Sequence, residues 1–190
     1  MQGKPRDKGL PVGRAMCDAG GAMKAPRPPF DSATLGEMAA GYAARYATTR
    51  QKLARYLAAK VRTRGWADDT EPPVAALVER MVAAGAVDDR AWGEAKTGTL
   101  SRRGYGAGRV NGALAAGGLV SEMRDELTGG IDARAAAEAY AKRRRLGRFA
   151  ATERTPEEAR RDMGAMQRAG HGFAVARAAL AAEVDSDEFG

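Results

Sequence analysis

The sequence predicts an all-α protein of about nine helices, arranged as tandem three-helix repeats. Signals that start and stop helices recur along the chain, and no segment has a convincing strand pattern. Alanine supplies much of the 44% hydrophobic content, whereas aromatic residues make up only 6%, which favours slender, closely packed helices. Glycines that end helices recur about every 50 residues, the range of helical repeat arrays, at Gly65, Gly117 and Gly170. We therefore expect an elongated array, straight or curved, whose units stabilise their neighbours.

The first predicted unit covers residues 31–87 and contains three helices. Each helix has a residue or a pair of residues that suits a helix start, and two of the helices end at a glycine. The start signals are Thr34 with Glu37, Thr48 with Gln51, and Pro72 with Pro73, and the stop signals are Gly65 and Gly85. Apolar residues at helical spacing form the stripes Leu35, Met38, Tyr42 and Tyr46, then Leu53, Tyr56, Leu57 and Val61, then Val74, Leu77, Val78, Met81 and Val82.

The stretch GAVDDRAWGEA (85–95) leads into the middle unit and places two carboxylates side by side. Asp88 is positioned to cap the next helix, and Asp89 adds negative charge at the positive end of that helix's dipole. Val87 and Trp92 occupy the two positions of a hydrophobic staple. No His, Cys or Glu lies at ligand spacing, so helix capping is favoured over a catalytic pair or a metal site.

The other helices of the middle unit (88–130) and the third unit (131–184) follow from the same signals. In the middle unit, the helix of Trp92 ends at Gly104. The next helix is capped by Gly106, has the staple pair Tyr105 and Val110, and ends at Gly117. The last helix starts at Ser121, contains Met123 and Leu127, and ends at Gly129 and Gly130. In the third unit, Asp132 caps a helix that contains Ala136, Ala139, Tyr140 and Leu146. Thr155, Pro156 and Glu158 start the next helix, which contains Met163 and Met166 and ends at Gly170. A last helix is expected from Phe173 through Leu180.

Both ends of the chain have compositions that predict disorder. Residues 1–30 are rich in Gly, Pro, Lys and Arg without a period, so we expect a disordered basic tail. The candidate start residues are Met1, Met16 and Met23. Residues 185–190 are expected to form an acidic, frayed end. The single cysteine, Cys17, allows no internal disulfide, which fits the reducing cytoplasm, and no apolar run approaches a membrane span.

The formal net charge of +7 favours an anionic partner, with nucleic acid first. In the run KRRRLGR, Lys142, Arg145 and Arg148 fall at i, i+3 and i+6, on a face that points away from the predicted apolar stripe. The candidate contact residues are Lys142, Arg144, Arg145 and Arg148, together with Arg102, Arg103 and Arg109 around the turn at 104–106. The alternative is a solvated helix face, which charge clusters usually are. The anion could be DNA phosphate or the acidic side chains of a protein.

Nothing in the sequence predicts an enzyme, a cofactor or a metal site. His171 is the only histidine, and no nucleophile or orienting acid is arranged around it. We expect it to be a turn residue between Gly170 and Gly172. The stretch GYGAG (104–108) follows a helix rather than a strand and lacks the spacing of a phosphate-binding loop.

The stretch from Gly85 to Leu119 resembles the central signature of RecX, the bacterial regulator of the RecA recombinase. The signature consists of an apolar residue, two aspartates, an aromatic residue, a basic helix end, a Gly-aromatic-Gly turn and a helix that ends in glycine. The matching residues, with no gap in spacing, are Val87, Asp88, Asp89, Trp92, Arg102, Arg103, Gly104, Tyr105, Gly106, Arg109, Val110, Leu114 and Gly117. RYATTRQKLARYLAAKVRTRGW (45–66) is similar to the family's first repeat, and the resemblance covers residues 34–183. Lys96, Thr97 and Gly98 depart from the pattern, because the family usually has a more apolar helix there.

The resemblance implies three-helix repeats and a non-enzymatic inhibitor that needs no cofactor. Such proteins bind in the groove of the RecA filament on single-stranded DNA and depress ATP hydrolysis and strand exchange. They thereby act in recombination, DNA repair and control of the SOS response. We expect a cytoplasmic monomer that contacts the filament and could also contact DNA directly.

Two other functions stay open. The helix at 107–116, the GGLV turn and the helix from Ser121 fit the outline of a helix-turn-helix DNA-binding transcriptional regulator. However, the second of these helices reads SEMRDELTG, and phosphates would repel its three carboxylates, which Arg124 alone opposes. The other alternative is a repeat scaffold that binds only a protein, and the salt dependence of DNA binding would separate it from the rest.

Overall fold

The computed structural model describes residues 27–181, and this part of the chain is all-helical, as predicted. It contains nine α-helices, one short 3-10 turn and no strand beyond a single bridge between Phe30 and Trp66. The helices are α1 (Ser32–Arg45), α2 (Arg50–Arg64), α3 (Val74–Ala83), α4 (Asp89–Ser101), α5 (Ala107–Gly117), α6 (Ser121–Gly129), α7 (Ala133–Arg144), α8 (Pro156–Arg168) and α9 (Phe173–Leu180), with the 3-10 turn at Gly147–Phe149.

The described helices pack as three consecutive sets of three, α1–α3, α4–α6 and α7–α9. Each set encloses its own buried cluster, which contains Leu57 in the first set, Leu114 in the second and Met166 in the third. The Tyr105 ring packs against both the second and the third cluster, so these two cores are joined through one side chain. The limits of the units, 31–87, 88–130 and 131–184, stay predictions.

Several helices begin at the residues that the sequence predicts. Asp88 Oδ1 accepts the backbone N–H of Ala91 at 2.9 Å, and Asp132 accepts two backbone N–H groups at 3.0 Å. At α8 the Thr155 hydroxyl accepts the Glu158 N–H, and the Glu158 carboxylate accepts the Thr155 N–H at 2.9 Å. This capping box holds the pKa of Glu158 below its usual range, mainly through the backbone N–H of Thr155.

The starts of α1 and α2 differ from the prediction. The N-cap of α1 is Asp31, and Thr34 is its reciprocal partner in the capping box, so the predicted pairing of Thr34 with Glu37 is wrong. The N-cap of α2 is Thr49 rather than Thr48. Two adjacent threonines are equally suited to this position, and a contact of the second one with a distant helix decides between them.

The predicted staple between Val87 and Trp92 is also wrong. Val87 is buried in the first cluster, whereas Trp92 packs against the second. The Trp92 ring lies against the end of α5, where a Cβ built on Gly117 would be 2.4 Å from Cζ3. Trp92 therefore connects α4 with α5 instead of closing the start of its own helix.

Helix α7 ends at Arg144 rather than at Leu146. The next residue, Arg145, has a left-handed backbone with φ of 54°. Arg154 donates to the Arg145 carbonyl at 2.8 Å, and Asp162 accepts the N–H that begins the 3-10 turn at 2.8 Å. These contacts, which arise from distant residues, fix the early end of the helix. The buried face of α7 consists of Ala137, Tyr140 and Ala141 rather than Ala136, Ala139 and Tyr140.

The predicted disordered tail of residues 1–30 is wrong at Phe30, which belongs to the folded part of the chain. Its side chain is 1% exposed within the first cluster, and the Arg64 guanidinium carbon lies 4.2 Å from its ring centroid. Its backbone N–H donates to the Gly65 carbonyl at 3.0 Å, so the chain is part of the fold at this residue. The predictions for Met1, Met16, Cys17, Met23, the rest of the tail up to residue 26 and the end at 185–190 lie outside the described residues.

Candidate functional site

The first and second helix sets meet where the start of α2 lies against the end of α5. The buried Thr49 hydroxyl donates to the Gly117 carbonyl at 2.5 Å. Asp89, in the first turn of α4, accepts the backbone N–H of Arg50 at 2.8 Å. The second carboxylate of the Asp-Asp pair therefore helps to cap α2 as well as its own helix. We call this contact, formed by Thr49, Arg50, Asp89 and Gly117, the first joint.

The second and third sets meet in the equivalent way, because the start of α5 lies against the end of α8. The Gly106 N–H donates to the Ala169 carbonyl at 2.9 Å, and the Gly108 N–H donates to the Gly170 carbonyl at 3.2 Å. The two backbones approach so closely that a Cβ built on Gly170 would lie 2.1 Å from the backbone N of Arg109. We call this contact, formed by Gly106, Gly108, Ala169 and Gly170, the second joint.

The recurring glycines that predicted the repeat thus share one structural role. Each follows or ends the second helix of its set, and the carbonyls around it accept hydrogen bonds from an earlier part of the chain. Phe30 supplies the donor at Gly65, Thr49 at Gly117, and Gly108 at Gly170. At Gly117 and Gly170 this contact joins two units, whereas at Gly65 it lies within the first unit, and the pattern of helix stops alone does not reveal it.

His171 is buried at the second joint. Its Nε2 lies 3.1 Å from the Gly104 carbonyl, and its ring centroid lies 5.7 Å from that of Tyr140. Burial lowers the pKa of His171, and the hydrogen bond to Gly104 offsets this only in part. A neutral ring with its proton on Nε2 fits both the burial and the hydrogen bond, because it donates to the Gly104 carbonyl without placing a charge in the interior. His171 thus ties the α4–α5 turn to the end of α8.

Six of the seven predicted contact residues have exposed side chains near the second joint, namely Arg102, Arg103, Arg109, Lys142, Arg144 and Arg145. The packing of Gly104 brings the two groups of basic residues together. A Cβ built on Gly104 would lie 2.7 Å from the backbone N of Tyr140, so the α4–α5 turn rests on α7 just before the Lys142–Arg145 run. Arg109 lies on α5 beside Gly170.

Arg143 belongs to the same surface, although the spacing in the sequence does not single it out. Its guanidinium carbon lies 5.8 Å from the Tyr105 ring centroid and 5.5 Å from that of Tyr140. Its place in the run KRRRLGR was the available signal, but the i, i+3 spacing selected its neighbours instead. We call the set Arg102, Arg103, Arg109, Lys142, Arg143, Arg144 and Arg145 the joint cluster. Among residues 27–181, no carboxylate oxygen lies within 4.0 Å of a side-chain nitrogen of this cluster.

Arg148 does not belong to this surface, which corrects the predicted face of Lys142, Arg145 and Arg148. It lies in the 3-10 turn beyond the end of α7, and its side chain is 17% exposed. Its guanidinium lies 3.2 Å from the Glu138 carboxylate. The i+6 spacing assumed a continuous helix, and the helix ends at Arg144.

A cavity of about 560 Å³ lies between the 3-10 turn, α8 and α9, and Met163 and Leu180 are among its apolar lining residues. The buried Asp162 in its wall accepts from Arg154 Nε at 3.0 Å, so this carboxylate serves the fold. In the part of the chain that the structure describes, no group of three His, Cys, Asp or Glu residues could hold a metal ion. None of the described helices is long and apolar enough to cross a membrane.

The fold and the joint cluster define a helical-repeat protein with an exposed basic surface. No family model matches the chain, and no curated protein matches it. Among solved structures, the fold is similar to the crystal structure of regulatory protein RecX, at a TM-score of 0.60 and 15% sequence identity. The match covers 77% of this chain and 70% of that chain. The RecX resemblance of the sequence is therefore confirmed at the level of the fold.

Proposed function

We propose that this chain is a RecX-like regulator that binds the RecA filament on single-stranded DNA and inhibits RecA ATP hydrolysis and strand exchange. The observation that carries the proposal is the RecX fold over 77% of the chain. The exposed joint cluster supports it independently, because a basic surface that no carboxylate of residues 27–181 pairs with suits a nucleoprotein partner of negative charge. Through this activity the chain acts in recombination, DNA repair and SOS control in the cytoplasm.

The joint cluster is the proposed contact surface. It consists of Arg102, Arg103, Arg109, Lys142, Arg143, Arg144 and Arg145. Two helix ends and one turn present these cations, and their backbone is held by the second joint and by the packing of Gly104 against Tyr140. A backbone that is already positioned loses less freedom on binding, so the same number of contacts yields a higher affinity.

Inhibition then follows from binding alone and needs no catalytic residue. Units connected by tight joints can contact adjacent filament subunits at the same time, and linked contacts add through effective concentration. A bound chain that favours one arrangement of neighbouring subunits opposes the rearrangements that ATP turnover and strand exchange require.

The helix-turn-helix alternative loses support from the contacts of α6. Arg90 on α4 forms two hydrogen bonds with the Glu126 carboxylate, both at 2.8 Å, and this pair lowers the pKa of Glu126. This ion pair holds the helix that would enter the major groove against α4 of its own protein. Phosphates would repel its other exposed carboxylates, Glu122 and Asp125.

Pelleting of preformed RecA filaments tests the proposal. We expect the full chain to sediment with filaments of RecA from the same organism on single-stranded DNA, and less of it to sediment as salt rises. A chain that stays in the supernatant at low salt, but binds a specific duplex sequence, would refute the proposal in favour of a transcriptional regulator.

A further inference from the structure

A second group of cations lies at the first joint. Lys52, in the first turn of α2, places its ammonium 3.7 Å from the centroid of the Trp92 ring. Trp92 is held in turn against Gly117 at the end of α5. Lys52 is therefore positioned by an aromatic face from another helix set, a contact that stabilises an ammonium at a defined place.

Two further cations surround Lys52. Lys96 follows Trp92 by four residues on α4 and thus lies on the same face of that helix. Arg55 follows Lys52 by three residues on α2 and donates to the Ala116 carbonyl at 3.1 Å. Burial, then the charges of Lys96 and Arg55, lower the pKa of Lys52. Lys52, which is half-buried, thus lies within range of the charges of both neighbours.

The surroundings supply little negative charge to this group. Within residues 27–181, no carboxylate oxygen lies within 4.0 Å of Lys52, Arg55 or Lys96, although Arg50 in the same turn of α2 pairs with Glu79. The last carbonyls of α5 offset part of the charge through Arg55. Lys52 also lies in the first turn of α2, where the helix dipole disfavours a cation. Such an arrangement raises the free energy of the unbound protein, and an anion that binds there lowers it.

We propose that Lys52, Arg55 and Lys96 form a binding site for the backbone phosphates of single-stranded DNA. A strand brings one negative charge with every nucleotide, so neighbouring phosphates can meet the three cations together, whereas a single carboxylate from a protein neutralises only one. Helix α4, which contributes Lys96 to this site, leads to Arg102 and Arg103 of the joint cluster at its end. The strand is expected to run along α4 between the two surfaces.

Oligonucleotide binding tests this site in the full chain. The anisotropy of a fluorescent oligo(dT) is measured against salt for the wild type and for Lys52→Gln combined with Lys96→Gln. We expect the double variant to bind more weakly at low salt and to lower the slope of log K against log[salt] by about 1.4, at about 0.7 for each lost contact with a single strand. The control combines Lys60→Gln with Arg62→Gln, two exposed cations in the second half of the same helix, and should leave the slope nearly unchanged. Equal slopes for the double variant and the wild type would overturn the proposal.

Two further measurements identify the occupant. In a Trp66→Phe variant, Trp92 is the remaining tryptophan, and its emission should respond to oligo(dT) but not to millimolar inorganic phosphate. A response to inorganic phosphate alone would indicate a site for a free anion and would refute the proposal that single-stranded DNA binds there. Loss of filament binding in the double variant with unchanged oligo(dT) binding would point to acidic protein side chains and would also refute it.

This inference rests on the proposed function for its biological setting, yet the oligo(dT) assay contains no RecA. The two can therefore fail separately. Binding of oligo(dT) through Lys52 and Lys96, without any effect on RecA, would remove the proposed function and leave the site. Inhibition of RecA by the wild type, together with equal salt slopes for the wild type and the double variant, would remove the site and leave the proposed function.

Discussion

The hydroxyl of Thr49 donates to the carbonyl of Gly117 at 2.5 Å, and this buried bond links the second helices of two successive units. Gly108 donates to Gly170 between the second and third units, and within the first unit Phe30 donates to Gly65. The end of each second helix is thus completed by a segment that precedes it in the chain by 35 or more residues. Stability should therefore be shared between units, and a change at a joint should affect both neighbours.

Replacing Thr49 with valine tests the first joint. Thr49→Val keeps the shape but leaves the Gly117 carbonyl buried without its donor, which costs about 1–3 kcal/mol, and it also removes the N-cap of α2, worth about 1 kcal/mol. The free energy of unfolding, measured in urea, should fall accordingly. Thr48→Val is the matched control, because the buried Thr48 hydroxyl has no hydrogen-bond partner among the described residues. Equal losses in both variants would show that the bond to Gly117 contributes nothing.

A pair of glycine substitutions tests the second joint. Gly170 has φ of +89°, and its Cβ would lie 2.1 Å from Arg109 N, so Gly170→Ala combines backbone strain of about 1–3 kcal/mol with a steric clash. We expect a large drop in the melting temperature. Gly172 has φ of −62° and open space around a built Cβ, so Gly172→Ala should melt close to the wild type. A Gly170→Ala protein as stable as Gly172→Ala would mean that the two helix ends are not in contact.

His171 should make stability depend on pH. Its pKa in the folded protein is lowered from the ordinary value of 6.5, so the unfolded state binds more protons between the folded pKa and 6.5. The stability that the neutral ring contributes is complete above about pH 6.5 and is lost as the pH falls through the folded pKa. His171→Gln can keep the bond to Gly104 without titrating, and it should flatten the pH dependence of unfolding between pH 7.5 and 5.5. An identical slope for both proteins would contradict the buried, neutral state of the ring.

Much of the fold could be predicted from local patterns, since capping residues and glycine stops mark helices wherever tertiary contacts do not intervene. The predicted helix boundaries are wrong where contacts with distant residues determine the start or end of a helix. The choice of Thr49 over Thr48 depends on Gly117, and the end of α7 depends on Arg154 and Asp162. For the candidate site, the basic runs can be recognised in the sequence, but the residues that lie beside them in the folded protein cannot. Nothing local indicates that Lys52 lies over the ring of Trp92, a residue of the next helix set.

The joint cluster should act as one electrostatic surface toward the filament. Reversing Lys142 and Arg145 to glutamate should weaken filament pelleting at low salt, and the difference from the wild type should shrink as salt screens the charges. Both side chains are exposed, so the melting temperature should hardly change. Arg160→Glu on α8 is the control for a change of charge at another exposed arginine. Equal pelleting of the wild type and the double reversal would exclude this surface from binding.

The central claim is that the chain inhibits RecA by binding its filament, and a steady-state titration of ATP hydrolysis tests it most directly. Preformed filaments of RecA from the same organism on single-stranded DNA are mixed with increasing amounts of the full chain. We predict that substoichiometric amounts slow hydrolysis, because one multi-unit chain affects several subunits, and that the double reversal of Lys142 and Arg145 requires more protein for the same effect. An unchanged rate at equimolar protein and low salt would contradict the account.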